Sequence, residues 1–229
     1  MNDAFLFIAF PYAAITLAVV GTIYRYFNYR YTYSSLSSQF LENRMSFWAS
    51  VSWHYSIILI LTAHVIATIL PPMWGVLLAN PFRLYFLEVT GWALAILSIV
   101  GCGMFIVRRL MYPRVRAVTT KMDWVILIVL FAQVVLGLLT AVMYRWGGLW
   151  YLHTAAPWLW SLFALNPQAD MVANLPLIVQ LHFLNAFVLV ALFPFSRLVH
   201  ILPYPITYLW RPYQVVVWNQ RRIQSGKSH

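Results

Sequence analysis

Charge is scarce in this sequence. Asp and Glu together number five in 229 residues, and charged residues of both signs make up 9%, against about 25% in soluble domains. That balance excludes an ordinary soluble globular fold. Cysteine is nearly absent too: Cys102 stands alone, inside an apolar run between Gly101 and Gly103. One thiol excludes a disulfide, a zinc site or an iron–sulfur cluster built by this chain by itself, so any such centre belongs to a partner. No recurring unit and no low-complexity segment is present apart from the last few residues, which sets aside solenoids and long disordered tails. A basic leader is also missing. Asp3 stands near the start, and the first apolar stretch runs on to Tyr24-Arg25-Tyr26 without a small-residue cleavage site, so it reads as a retained helix rather than a signal peptide.

What the sequence does hold is apolar surface, at 62% of residues. A transmembrane helix takes about 20 mostly apolar residues, and such runs occupy 5–27, 48–71, 86–107, 124–144 and 174–202. The expected fold is all-α and membrane-embedded: five transmembrane helices in one domain over 1–229, with a tail at 203–229. The second run stops at Pro71-Pro72, where backbone donors are lost. The third carries Gly91, Gly101 and Gly103, small enough to let a helix or a flat cofactor approach. The segment 145–173 holds Trp146, Trp150, Trp158 and Trp160, which suit a membrane interface.

Placed by loop, the net charge of +10 becomes informative. Arg25, Arg30 and Arg44 follow the first helix. Arg108, Arg109, Arg114, Arg116 and Lys121 follow the third, and Arg197, Arg211, Arg221, Arg222 and Lys227 close the chain. That leaves Arg83 and Arg145 on the other side, so the positive-inside rule orients the N-terminus outside and the C-terminus and its tail in the cytoplasm. The basic face serves orientation and attraction to anionic lipid, or docking of a soluble partner. It lacks a nucleic-acid recognition motif.

Four of the six histidines fall in the second and fifth runs: His54, His64, His182 and His200. Ionisable side chains inside a membrane helix are costly and point to function; a hydrogen bond to a neighbouring helix would explain any one of them, but not four in two helices. With the N-terminus outside, His54 and His200 share the inner depth, and His64 and His182 the outer. The 18 residues between His182 and His200 make five helical turns, so both leave one face. The 10 between His54 and His64 leave them roughly 80° apart. Two imidazoles are too few for zinc, which takes four ligands, whereas a porphyrin supplies the other four positions of an octahedron. Two bis-histidine haems, with no open position and hence a role in electron transfer, are the economical reading. The spacings project to about 15 Å on one helix and about 27 Å on the other, so tilt, a kink near Pro194 or inclined haem planes must absorb the difference.

These residues carry a resemblance. Ser37-Ser38-Gln39, Arg108-Arg109-Leu110, Pro113-Arg114-Val115-Arg116-Ala117, Leu136-Gly137-Leu138-Leu139-Thr140, Leu192-Phe193-Pro194-Phe195-Ser196-Arg197-Leu198-Val199-His200 and Tyr213-Gln214-Val215 run in the same order as in the gamma subunit of respiratory nitrate reductases, a membrane cytochrome b. The chain resembles that family over nearly its whole length, most specifically in the stretch ending at His200. The resemblance implies two haems b, with His54 and His200 on the inner iron and His64 and His182 on the outer. It implies that menaquinol or ubiquinol is oxidised beside the outer haem, with protons released outside and electrons passed inward. The receiving partners would be an iron–sulfur beta subunit and a molybdenum-cofactor alpha subunit that reduces nitrate, in the cell membrane of a prokaryote. Inward electron flow across the full membrane is worth about 2.3 kcal/mol per charge per 100 mV.

The sequence departs from the family at two places. Tyr85 occupies the position of a lysine associated with the quinol site, which makes Arg83, Tyr85 and His64 the quinol-site candidates, and Ala63 replaces a glycine before the outer histidine. Arg116 and Arg197 are candidates for the inner haem propionates, because guanidinium binds carboxylate bidentately. His153 lies in the outer loop, where an imidazole could take up quinol protons. Glu88 and Asp123 read as ordinary helix-end residues. Two alternatives stand beside this reading: a dihaem anchor of another quinol-linked reductase, of heterodisulfide-reductase type, and a haem-free membrane protein using the histidines as a proton relay.

Overall fold

The computed structural model describes residues 3–29, Thr32 and 38–202. Arg30, Ser37, the tail 203–229 with Tyr213-Gln214-Val215, and the basic residues Arg211, Arg221, Arg222 and Lys227 lie outside the described residues. The described chain is all-helical, and five of its helices are long and apolar enough to cross a membrane: Phe5–Asn28, Arg44–Ile69, Pro81–Met111, Lys121–Met143 and Leu177–Phe195.

Their ends follow from local chemistry. A π-helical turn, Phe5–Ala9, leads into α1 (Phe10–Asn28). Pro11 has no N–H for the Phe7 carbonyl, and Trp158 Nε1 takes that carbonyl instead at 3.1 Å. Helix α2 (Arg44–Ile69) starts four residues before the expected run because the Glu42 carboxylate accepts from the Met45 and Ser46 N–H groups at 2.7 and 3.1 Å. Pro71-Pro72 end α2 but also open α3 (Pro71–Leu78), since proline is tolerated in a first turn. Asn80 caps α4 (Pro81–Met111), its side chain accepting from Phe82 and Arg83 N–H. After the short α5 (Pro113–Ala117), Thr120 and Asp123 form a capping box on α6 (Lys121–Met143).

The segment 145–173 is more than a loop. It forms α7 (Gly147–His153), α8 (Ala155–Phe163) and α9 (Asp170–Ala173), which fold back over the ends of the long helices. Trp158 is accordingly not an interfacial residue: it is 1% exposed, in a cluster with Phe7, Ala14, Leu162, Val172 and Phe187, and stacks on Phe183. Trp160 and Trp146 do stay exposed.

The fifth expected helix, 174–202, is broken. Helix α10 (Leu177–Leu192) gives way to a 3-10 turn over Phe193–Phe195, an extended Ser196, and a second 3-10 turn over Arg197–Ile201. Pro194 cannot supply the N–H that would continue the helix, and the Ser196 hydroxyl accepts from Leu198 N–H to start the next turn. The five-turn argument for His182 and His200 therefore does not apply. Neither does the straight rise of about 27 Å: His200 leaves from a separate turn.

Packing runs in the order α2, α4, α6, α10, α1. Helix α2 lies most extensively on α4, α4 on α6, α6 on α10, and α10 on α1, whereas α2 and α10 scarcely meet. Helices α2 and α4 approach backbone to backbone at Gly101, where a Cβ would stand 2.6 Å from Trp53 N and 3.1 Å from Ala49 O. A buried Ser98 hydroxyl donates to Ser56 at 2.7 Å across the same seam. Gly21 lets α1 lie against the Pro194 ring, and Gly91 and Gly103 face more open space. At the basic end, buried Arg108 donates to the Glu42 carboxylate at 2.8 Å and to Ser38 Oγ, Ser38 O and Glu42 O. Arg25 donates to Pro194 O and Ser196 O at 2.7 and 2.9 Å, and Arg197 binds Asp123 at 2.7 and 2.9 Å. Asp123, 5% exposed, is thus a cap and an ion-pair partner at once rather than an ordinary helix-end residue. Glu88 likewise is enclosed, accepting from Trp146 N–H at 3.0 Å.

Cys102, buried and the sole cysteine, reports unfolding through its reactivity. Gly101→Ala must push the α2 and α4 backbones apart, so the temperature at which a maleimide dye labels Cys102 falls, by the equivalent of about 1–3 kcal/mol, while Gly91→Ala leaves it unchanged. Burial pushes the Glu42 carboxyl up, but the Met45 N–H, the Arg108 guanidinium and the Ser46 N–H outweigh it and hold the group below its ordinary value of 4.5. Its stabilisation is complete above that ordinary value and is lost as pH falls through the lowered one. Glu42→Gln flattens that acid limb of the Cys102 labelling curve, and Glu42→Ala, by stranding Arg108, costs about 3 kcal/mol.

Candidate functional site

Three of the four histidines singled out in the sequence are fixed in the same way. The Nδ1 of His54 lies 2.8 Å from Ser50 O, that of His64 2.8 Å from Ile60 O, and that of His200 2.6 Å from Arg197 O. A backbone carbonyl only accepts, so each Nδ1 carries the ring proton and each Nε2 keeps its lone pair. Such a tie to the other ring nitrogen orients metal-ligating histidines. His54 and His64 are exposed on the face of α2 that the protein leaves uncovered.

The broken fifth helix brings His200 opposite His54, with ring centres 6.4 Å apart and planes inclined at 71°. Two imidazoles binding one iron from opposite sides through bonds of about 2.0 Å have ring centres on the order of 6 Å apart, so this pair fits a bis-histidine iron. His64 and His182 each have another ring beside them. His64 meets Tyr151 edge-on at 6.0 Å, and His182 lies against Phe183 at 6.3 Å with Gln133 Nε2 3.2 Å from its Nδ1. Among the described residues no three His, Cys, Asp or Glu side chains converge as a metal-binding group. The histidines come as pairs, which suits a group that brings its own equatorial ligands. The space between α2 and α10, which scarcely meet, is where a flat one would go.

Around the outer pair the structure gathers hydrogen-bonding groups that the sequence pattern alone did not single out. Thr68 Oγ1 donates to His64 O at 2.7 Å, one turn back on α2. Its proton thus spent, it accepts from Tyr151 Oη at 2.6 Å, and Trp160 Nε1 donates to Thr68 O at 2.7 Å. Burial pushes the Tyr151 phenol up from its ordinary 10.0. The signal available in the sequence was Thr68 itself, a hydroxyl one turn from a histidine in an apolar run. An open cleft of about 260 Å³ lies one turn before His182, lined by Tyr144, Arg145, Trp150, Leu175, Pro176 and Val179.

The remaining candidates scatter. Arg83 Nη2 donates to Val76 O at 3.1 Å, and Tyr85 is exposed with its ring 6.4 Å from that of Trp146. Arg197 is engaged with Asp123, Arg116 is exposed on α5, and His153 is exposed at the end of α7.

A family model described as nitrate reductase gamma subunit matches residues 3–219. The chain is 34% identical over 221 residues to the nitrate reductase-like protein NarX of Mycobacterium tuberculosis (strain ATCC 25618 / H37Rv), covering 92% of this chain and 33% of that protein; it thus spans about a third of that relative's length. It is 33% identical over 219 residues to the respiratory nitrate reductase 1 gamma chain of Escherichia coli (strain K12), covering 93% of this chain and 96% of the relative. To the nitrate reductase gamma chain of Bacillus subtilis (strain 168) it is 27% identical over 224 residues, covering 96% and 100%.

Proposed function

The chain belongs to the nitrate reductase gamma subunit family, and from that premise we propose that it is the dihaem, quinol-oxidising membrane anchor of a respiratory nitrate reductase complex. The observation that supports this most directly is the His54 and His200 pair, one imidazole on α2 and the other on the turn after α10, with ring centres 6.4 Å apart. His54 and His200 would hold one haem b, and His64 and His182 the other. A bis-histidine haem has no open position and supplies one-electron transfer when bound.

In this reading the chain spans the cell membrane as one domain, N-terminus outside and C-terminus inside. The end stitched by Arg25, Arg108 and Arg197 then faces the cytoplasm and an iron–sulfur partner that serves a molybdenum-cofactor subunit. The quinol is oxidised at the opposite end. There Tyr151, whose O–H is spent on Thr68, keeps its oxygen lone pairs to accept from a quinol hydroxyl beside His64. The cleft ahead of His182, apolar except for Tyr144 and Arg145, suits the approach of a lipid-soluble ring. Arg83 and Tyr85, exposed at the same end, remain quinol-site candidates. Arg197, carrying Asp123 already, would have to share its guanidinium with an inner propionate, and Arg116 would reach one only from the surface.

A dithionite-minus-oxidised spectrum of the purified complex, with haem quantified per chain, tests the proposal. Two b-type haems are expected, and His64→Ala and His200→Ala should each remove one; a spectrum without haem overturns the reading. Tyr151→Phe should keep both haems and raise the KM for quinol about five- to tenfold, the value of one hydrogen bond, leaving kcat with an artificial electron donor unchanged.

A further inference from the structure

His182 is held differently from its three counterparts. Asn185, three residues on along α10, donates from Nδ2 to Val129 O at 3.1 Å and to Gln133 Oε1 at 2.7 Å. A backbone carbonyl only accepts, so Val129 decides which end of the Asn185 amide faces α6, and Asn185 in turn decides which end of the Gln133 amide faces His182. The Gln133 Nε2 donor therefore points at His182 Nδ1, 3.2 Å away. A neutral imidazole carries one N–H. With Nδ1 accepting, that proton sits on Nε2, the reverse of the arrangement at His54, His64 and His200.

The ring has little freedom to escape this contact by moving. Gly137, one turn beyond Gln133, lies against it so closely that a Cβ there would stand 3.0 Å from His182 Cε1. These polar groups also sit in an apolar span, where water is not at hand to replace a lost partner. A histidine that binds iron through Nε2 must carry its proton on Nδ1, and that proton needs an acceptor.

Building on the dihaem reading, we propose that Gln133 is the positioning residue for His182, and that ligation through Nε2 turns the Gln133 amide over so that Oε1 leaves the Asn185 N–H and accepts the Nδ1 proton instead. The amide pair is then a two-position element that reports whether His182 is ligated. The acceptor strength of residue 133 sets how strongly that imidazole donates to its iron. None of the other three histidines depends on a neighbouring helix in this way, because each is tied to a backbone carbonyl of its own segment.

The test compares Gln133→Leu and Gln133→Glu in the assembled complex, reading haem content, the low-spin electron paramagnetic resonance signals and the midpoint potential of each haem. Leucine removes the acceptor, so the outer haem should be lost, or its potential should rise and its signal shift, with the inner haem unchanged. Glutamate, whose oxygen accepts in either protonation state, should retain the haem at a potential equal to or below that of the unsubstituted complex. A leucine variant with both haems present and both signals unmoved overturns the inference, as do leucine and glutamate variants displaced alike, which would reduce Gln133 to packing. An unsubstituted complex with no outer haem overturns the dihaem reading and this inference together; an unmoved leucine variant in a dihaem complex overturns this inference alone.

Discussion

The distance between α2 and α10 is the constraint on which the rest of the arrangement depends, and neither helix sets it. Helix α2 is pressed onto α4 at Gly101, backbone against backbone, and locked there by the Ser56 and Ser98 hydroxyls. Helix α10 is carried by α6 through Asn185 and Gln133. The α4 and α6 pair therefore acts as a spacer whose width is fixed by a cluster of Trp53, Cys102, Leu127 and Val134. Because protein interiors respond to changes of a single methylene, a change in this spacer would alter the separation of the histidines without touching any of them.

The basic end shows how the charge bias divides. Loop counting treats every arginine as an orientation signal, yet Arg25, Arg108 and Arg197 spend their guanidinium groups on interior carbonyls and carboxylates. Arg25 is the most consequential, since it binds Pro194 O and Ser196 O within the break in the fifth helix. The broken segment exposes carbonyls that no helix bond satisfies, and one cation from α1 satisfies two of them. Arg44, Arg114, Arg116 and Lys121 stay exposed. Among the described residues, these four are the basic side chains that a partner or anionic lipid at this end would meet.

Much of this was legible in the sequence because a membrane leaves few alternatives. Twenty apolar residues without charge are a helix almost whatever their order, so five spans could be read from composition, and four histidines inside them stood out by cost. The break after Leu192 was not legible to the same degree. Pro194 announces a disturbance, but only the Ser196 cap shows that the chain restarts as a separate turn rather than kinking and continuing. Trp158 misled because tryptophan near a span end suits an interface, whereas here its N–H is taken by the Phe7 carbonyl, far away in sequence, and its ring by the cluster around Phe7. Gln133 and Asn185 were legible in principle, since the cost rule applied to histidines holds for any polar side chain in an apolar run.

The two amides matter because the histidines are not held alike. A histidine tied to the carbonyl one turn back on its own helix takes its orientation from helix geometry, and no single side-chain change can remove the tie. His54 and His64 are of this kind, and His200 obtains the same result from a 3-10 turn. His182 alone looks to another helix, and to a side chain whose donor and acceptor ends are interchangeable by a half-turn of an amide. The two pairs are thus unequal in how they respond to sequence change. The inner pair is set by backbone and by the break that presents His200, so it varies only if the fold does. The outer pair has one adjustable member, and it is adjusted from α6, the same helix that spaces the histidine-bearing elements. The spacing of α10 and the hold on His182 therefore meet on one element, since Gln133 of α6 serves both, away from the Gly101 seam.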